Sequence, residues 1–159
     1  MKKILSIEAY RNEDIFSDAD NLGRYTEKLG AGVIVCELGE FFEDLPEGTE
    51  IPKRMGLGRG FLPYAGGLTT DDPDYKTCGK QDFARMESLN NGEWGYIGVK
   101  ASARIEVSGV ILEITSGGVW GIESDSGEDF IQEIEREQLS GLKGILQELG
   151  FSAEEINAA

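Results

Sequence analysis

The stretch Trp94-Gly-Tyr-Ile-Gly-Val-Lys-Ala-Ser-Ala-Arg-Ile-Glu-Val107, followed by Ser108-Gly109 and Val110-Ile-Leu-Glu-Ile114, decides the fold class. Ile97, Val99, Ala101, Ala103, Ile105 and Val107 alternate with Gly98, Lys100, Ser102, Arg104 and Glu106. A period of two over this length marks a strand with one apolar face and one polar face. Ser108-Gly109 is a tight turn, so the next run returns antiparallel. Gly117-Gly118 breaks or bulges that second strand, and Val119-Trp-Gly-Ile122 continues it briefly. Beyond Asp125 the period lengthens. Phe130, Ile131, Ile134, Leu142, Ile145, Leu146 and Leu149 mark the buried stripe of one amphipathic helix over 127–149. Asp125 or Ser126 is its expected cap, Glu128 and Asp129 fill its first turn, and Gly150 is its stop. The expectation is an α+β fold, a mainly antiparallel sheet built on residues 93–122 with the long C-terminal helix packed on one face.

Moving outward, Asp71-Asp-Pro-Asp74 and Asn90-Asn-Gly92 bracket a second helix near residues 73–89. Tyr75, Cys78, Phe83, Met86 and Leu89 form its imperfect apolar stripe. Gly79 within it costs about 1 kcal/mol relative to Ala unless a neighbour packs closely there. Residues 3–10 read as a first strand with Leu5, Ile7 and Ala9 on one side, and Gly32-Val-Ile-Val-Cys36 as a short buried strand. Between them, residues 11–32 read as a loop or short helical turn. Glu40-Phe-Phe-Glu-Asp-Leu45 reads as a strand extension or one helical turn, and Ser152-Ala-Glu-Glu155 caps a last short helical turn.

Residues 52–70 form a long glycine-rich segment with Gly56, Gly58 and Gly60. It lacks the Lys-Ser/Thr ending of a phosphate loop and runs into Phe61-Leu-Pro63 instead of opening a helix. Two readings stay open: a structural loop anchored by Phe61 and Tyr64, or a ligand-binding loop, spanning Gly56–Gly67, that uses Lys53, Arg54 and Arg59.

At 159 residues, 40% apolar and 28% charged, the chain is expected to be one soluble domain over residues 1–159. No apolar run approaches the roughly 20 residues needed to span a bilayer. Ser6 and Glu8 interrupt the N-terminal apolar stretch too early for a signal peptide, so a cytoplasmic location is expected. Cys36 and Cys78 have no paired spacing and read as small buried residues. The chain contains no histidine, which removes Ser-His-Asp and Cys-His catalysis and most zinc sites. No catalytic residue, cofactor or metal is assigned, and an enzyme is the less favoured class.

Charge gives the functional signal. The net charge is −15 and the pI near 4.3. Direct binding to nucleic acid or to an anionic membrane is therefore disfavoured, and a cationic protein is the expected partner. Residues 1–50 hold 12 carboxylates and 5 basic groups, residues 51–120 hold 8 of each, and residues 121–159 hold 10 and 2. The acidity thus lies at the two ends. Asp14, Asp18 and Asp20 are candidate partner-binding residues in the first segment. On the helix, Asp129, Glu133 and Glu137 follow at four-residue spacing, about 6 Å apart along the axis, with Glu135 beside them. The bland alternative is a solvated face. A competing site, for a ligand or a hard cation, is the strand-to-helix corner holding Glu123 and Asp125.

Four stretches carry a resemblance: Phe61-Leu-Pro-Tyr-Ala-Gly-Gly67, Gln81-Asp-Phe-Ala-Arg-Met-Glu87, Trp94-Gly-Tyr-Ile-Gly-Val-Lys100 and Ser116-Gly-Gly-Val-Trp-Gly-Ile-Glu-Ser-Asp-Ser-Gly127. Together they resemble small proteins encoded by phages, prophages and plasmids, over residues 60–150. By analogy, that resemblance implies an anti-defence role of the anti-CRISPR or anti-restriction type, partial DNA mimicry among its modes. It assigns no functional residue. Its expected partner is a basic, nucleic-acid-binding host protein.

Overall fold

The computed structural model describes residues 2–41, 46, 48–51 and 59–159. Its contacts gather into two compact units, Met1–Ser17 with Trp94–Ala159, and Asp18–Glu93. The fold is α+β, and every strand pair among the described residues is antiparallel.

The first unit is built on the long alternating strand. In chain order the molecule has β1 (Lys2–Glu13), β2 (Gly23–Thr26), β3 (Lys28–Leu29), β4 (Ile34–Val35), β5 (Glu40–Phe41), β6 (Thr49–Glu50), β7 (Gly60–Pro63), α1 (Tyr75–Asn90), β8 (Tyr96–Val107), β9 (Val110–Thr115), β10 (Val119–Glu123), α2 (Glu128–Glu148) and α3 (Ala153–Ala158). Strand β8 is central: β1 pairs along one side of it, while β9 and β10 share the other. Ser108 and Gly109 both take positive φ, 52° and 85°, the geometry a two-residue hairpin requires. The apolar face of β8 lies under α2. Ala101, Ala103 and Ile105 pack with Leu142, Leu146, Phe151 and Ile156, and Val99 and Ile122 pack with Ile131 and Ile134.

The end of α2 follows from its sequence. Gly150, at φ 83°, donates its N–H to Gln147 O, and Phe151 donates to Leu146 O, so the last carbonyls are satisfied and Phe151 turns inward. Ser152 and Glu155 then form a reciprocal cap for α3.

The first unit also departs from the sequence reading. Strand β1 runs to Glu13, beyond the expected residue 10, because β8 supplies pairing partners for its whole length. A bulge between Ile4 and Ser6 turns Leu5 outward, and Ile4 and Ile7 pack on the core instead. The N-cap of α2 is Gly127, at φ 92°, one or two residues later than the expected Ser126 or Asp125. Phe130 and Leu149 are half exposed and stand outside the buried stripe.

The second unit has a sheet ordered β2-β7-β4-β5, a small β3-β6 pair and α1. The segment expected as a loop over 11–32 thus contains β2 and β3. Phe61, fully buried on β7, is ringed by Tyr25 and Phe83 at 5.5 and 5.6 Å between centroids. Tyr64, expected as a second anchor, is exposed. Gly79 is accounted for, since a Cβ there would sit 2.9 Å from both Phe41 Cζ and Pro63 Cγ. The expected element over 40–45 begins as β5, and its residues 42–45 lie outside the described residues.

Candidate functional site

The acidic residues singled out from sequence fall into distinct environments. Asp14 follows β1, where its N–H extends the ladder to Tyr96 O. Its side chain is turned inward, only 7% exposed. The carboxylate accepts four hydrogen bonds: Ser17 Oγ at 2.5 Å, Gly121 N at 2.9 Å, Phe16 N at 3.0 Å and Ser17 N at 3.1 Å. The hydroxyl of Ser17, with the amides after it, holds this carboxyl below its ordinary range. Asp14 therefore fastens the chain after β1 to β10 and presents no free charge to a partner. The local signal was the Asp14-Ile-Phe-Ser17 pattern, an acid whose side chain caps the amides two and three residues on.

The other side of that corner is Trp120, which lies across Gly98. A Cβ at Gly98 would come within 2.1 Å of the Trp120 ring, so only glycine leaves room for the indole. Lys100 Nζ lies 5.9 Å from the ring centroid. The indole is still 45% exposed.

Helix α2 sorts its carboxylates by face. Arg11, on the helix side of β1, grips Glu128 with both terminal nitrogens at 2.9 and 2.6 Å and donates Nε to Glu135 at 2.7 Å. Paired in this fork, Glu128 is pulled down to about 2, with the Arg11 hydrogen bonds as the largest cause, and Arg11 holds its proton more firmly than usual. Glu135 is thus half-buried and neutralised on the flank next to the sheet. Asp129, Glu133 and Glu137 point the opposite way. All three are exposed, and none has a hydrogen bond or ion pair among the described residues. Arg136, beside them, donates Nε to the backbone oxygen of Gln132.

The remaining candidates are separate. Asp18 and Asp20 are exposed in the second unit, where Asp18 Oδ1 accepts Asp20 N at 3.4 Å. Lys53 and Arg54 lie outside the described residues, as do Gly56 and Gly58 of the glycine-rich segment. Arg59 stacks its guanidinium 4.2 Å from the Tyr25 ring centroid. The Tyr25 hydroxyl donates to Glu87 at 2.5 Å and accepts from Asn90 Nδ2. Burial raises the Tyr25 hydroxyl and pushes the Cys36 thiol up to about 11, so these two groups keep their protons at neutral pH. Glu123 sits half-buried at the end of β10 and Asp125 is exposed in the following turn. No group of three or more metal-ligating side chains occurs among the described residues. No helix among them is long and apolar enough to cross a membrane.

No family model, curated protein or solved structure matches this chain.

Proposed function

We propose that the chain is a non-enzymatic, cytoplasmic protein that lays the acidic face of α2 against a basic, nucleic-acid-binding surface of another protein. The observation that carries this reading is the sorting of charge on α2: Arg11 takes up Glu128 and Glu135, while Asp129, Glu133 and Glu137 are left in an exposed, unpaired row. Like charges at four-residue spacing weaken a helix by about 0.2–0.5 kcal/mol per pair. The row is held straight by the packing of the opposite face, so it is preorganised before any partner arrives. A cationic groove shaped for regularly spaced phosphates would meet charges on a rigid rod, as a partial DNA mimic requires. The resemblance to proteins of mobile elements makes a CRISPR or restriction protein of the host the proposed target.

The test is a pull-down from host lysate at low salt and at roughly 0.5 M salt, using the wild type and the double variant Glu133→Lys/Glu137→Lys. A captured basic protein should be lost at high salt and with the charge reversal. Capture indifferent to both changes sinks the proposal.

A further inference from the structure

The sheet of the first unit has two outer edges, and they are built differently. Strand β1 guards its edge with Lys2, Lys3, Glu8, Arg11 and Glu13, and with the bulge at Leu5. These are the usual devices against edge-to-edge pairing. Strand β9 has none of them over its first half. Val110, Ile111 and Leu112 are 57, 54 and 45% exposed, and among the described residues β9 pairs with β8 alone.

The hydrogen-bond phase shows what this edge offers. Ser116 N donates to Ala101 O, in the same register that sets Ile114 opposite Ala103, Leu112 opposite Ile105 and Val110 opposite Val107. By antiparallel alternation, Val110, Leu112 and Ile114 direct their backbone groups to β8, while Ile111, Glu113 and Thr115 direct theirs to the open side. The side chains alternate as well. Val110, Leu112 and Ile114 stand on the helix side of the sheet, and Ile111, Glu113 and Thr115 stand on the other.

We infer that β9 is a self-pairing edge, through which two copies of this chain join their sheets antiparallel about a two-fold axis at Leu112. That register is self-complementary. Leu112 faces Leu112 of a second copy, Val110 faces its Ile114, and Ile111 and Glu113 exchange backbone hydrogen bonds with its Glu113 and Ile111. A register centred on Glu113 would oppose two carboxylates and is disfavoured. A second copy is the occupant because the register is self-complementary and the charge around this edge permits two copies to meet. Within residues 96–115, Lys100 and Arg104 balance Glu106 and Glu113, whereas the rest of the chain carries the net −15. This inference does not rest on the acidic face of α2.

The test is sedimentation of the full chain at high micromolar concentration, with rising salt. A dimer of twice the 17.4 kDa chain mass is expected, and it should strengthen with salt as the repulsion between two acidic copies is screened. Ile111→Pro removes an edge-facing N–H and no bond to β8, so it should return the monomer with the thermal melt little changed. Leu112→Cys should give a disulfide-linked dimer on mild oxidation, since directly opposed residues in a non-hydrogen-bonded pair lie within bridging distance. Ile111→Cys should cross-link no faster than wild type, which has only its native Cys36 and Cys78. A wild type that stays monomeric at high salt, a dimer that survives Ile111→Pro, or equal cross-linking at positions 111 and 112 would each overturn the inference.

Discussion

Within the first unit, the corner around Asp14 and the outer face of α2 are both acidic in sequence, and they use their carboxylates in opposite ways. At the corner one carboxylate gathers four donors, two of them amides of the residues that follow it and one from Gly121, far along the chain. On α2 three carboxylates stand in a row with no donor between them. Arg11 marks the boundary, since it pairs with two further carboxylates of the same helix, the exposed Glu128 and the half-buried Glu135. A net charge therefore says little about a working surface until each acid has been assigned to one use or the other.

The strongest way to break this contrast is Asp14→Ala. It leaves Gly121 N, Ser17 N and Phe16 N without their shared acceptor, and the melting temperature should fall further than for any other surface-proximal acid. Substituting Asp129 by Ala in the same assay should leave it almost unchanged. If the two variants melt alike, the distinction drawn between them fails.

Gly98→Ala tests the packing behind the corner. Its Cβ would force the Trp120 ring off the sheet, at a cost of about 1–3 kcal/mol, visible as a shift in denaturant midpoint together with a change in tryptophan emission. Acid titration probes the ion pairs next. Glu128 is depressed from its ordinary 4.5 to about 2, so its contribution is complete above pH 4.5 and is lost as pH falls toward 2. Asp14 behaves in the same direction. Arg11→Ala should remove the Glu128 part of that acid dependence and leave the Asp14 part. Equal acid sensitivity in the two proteins would show that the Arg11 fork contributes nothing. The smallest effect belongs to Glu133→Gln, which relieves like-charge neighbours at Asp129 and Glu137. It should stabilise the fold by about 0.5 kcal/mol while weakening partner capture.

The long elements were legible because their periods are long. Strand β8, its hairpin with β9, the body of α2 and the Gly150 stop were readable from residues a few positions apart. The shorter strands were read only in part: the β-branched run 32–36 holds β4 and the segment 40–45 begins as β5, whereas β3 and β6 have two residues each and no period to read. The candidate site was half legible. The row Asp129, Glu133, Glu137 follows from helix geometry alone. The withdrawal of Glu135 depends on Arg11, 124 residues earlier, and that of Asp14 depends in part on Gly121, 107 residues later. Local pattern carries no trace of such partners.

The ladder between β1 and β8 also bears on how the chain acquires its structure. Glu13 pairs with Ile97, and Asp14 N reaches Tyr96 O, so residues 18–93 leave and re-enter the first unit at neighbouring rungs. Topologically they are an excursion from what would otherwise be a plain hairpin. During synthesis β1 emerges before β8, which follows only after the whole intervening unit has been made. Strand β1 must therefore wait for β8 while the unit made between them can already collapse. Its Lys- and Glu-bearing edge is of the kind that disfavours pairing with other chains during that interval.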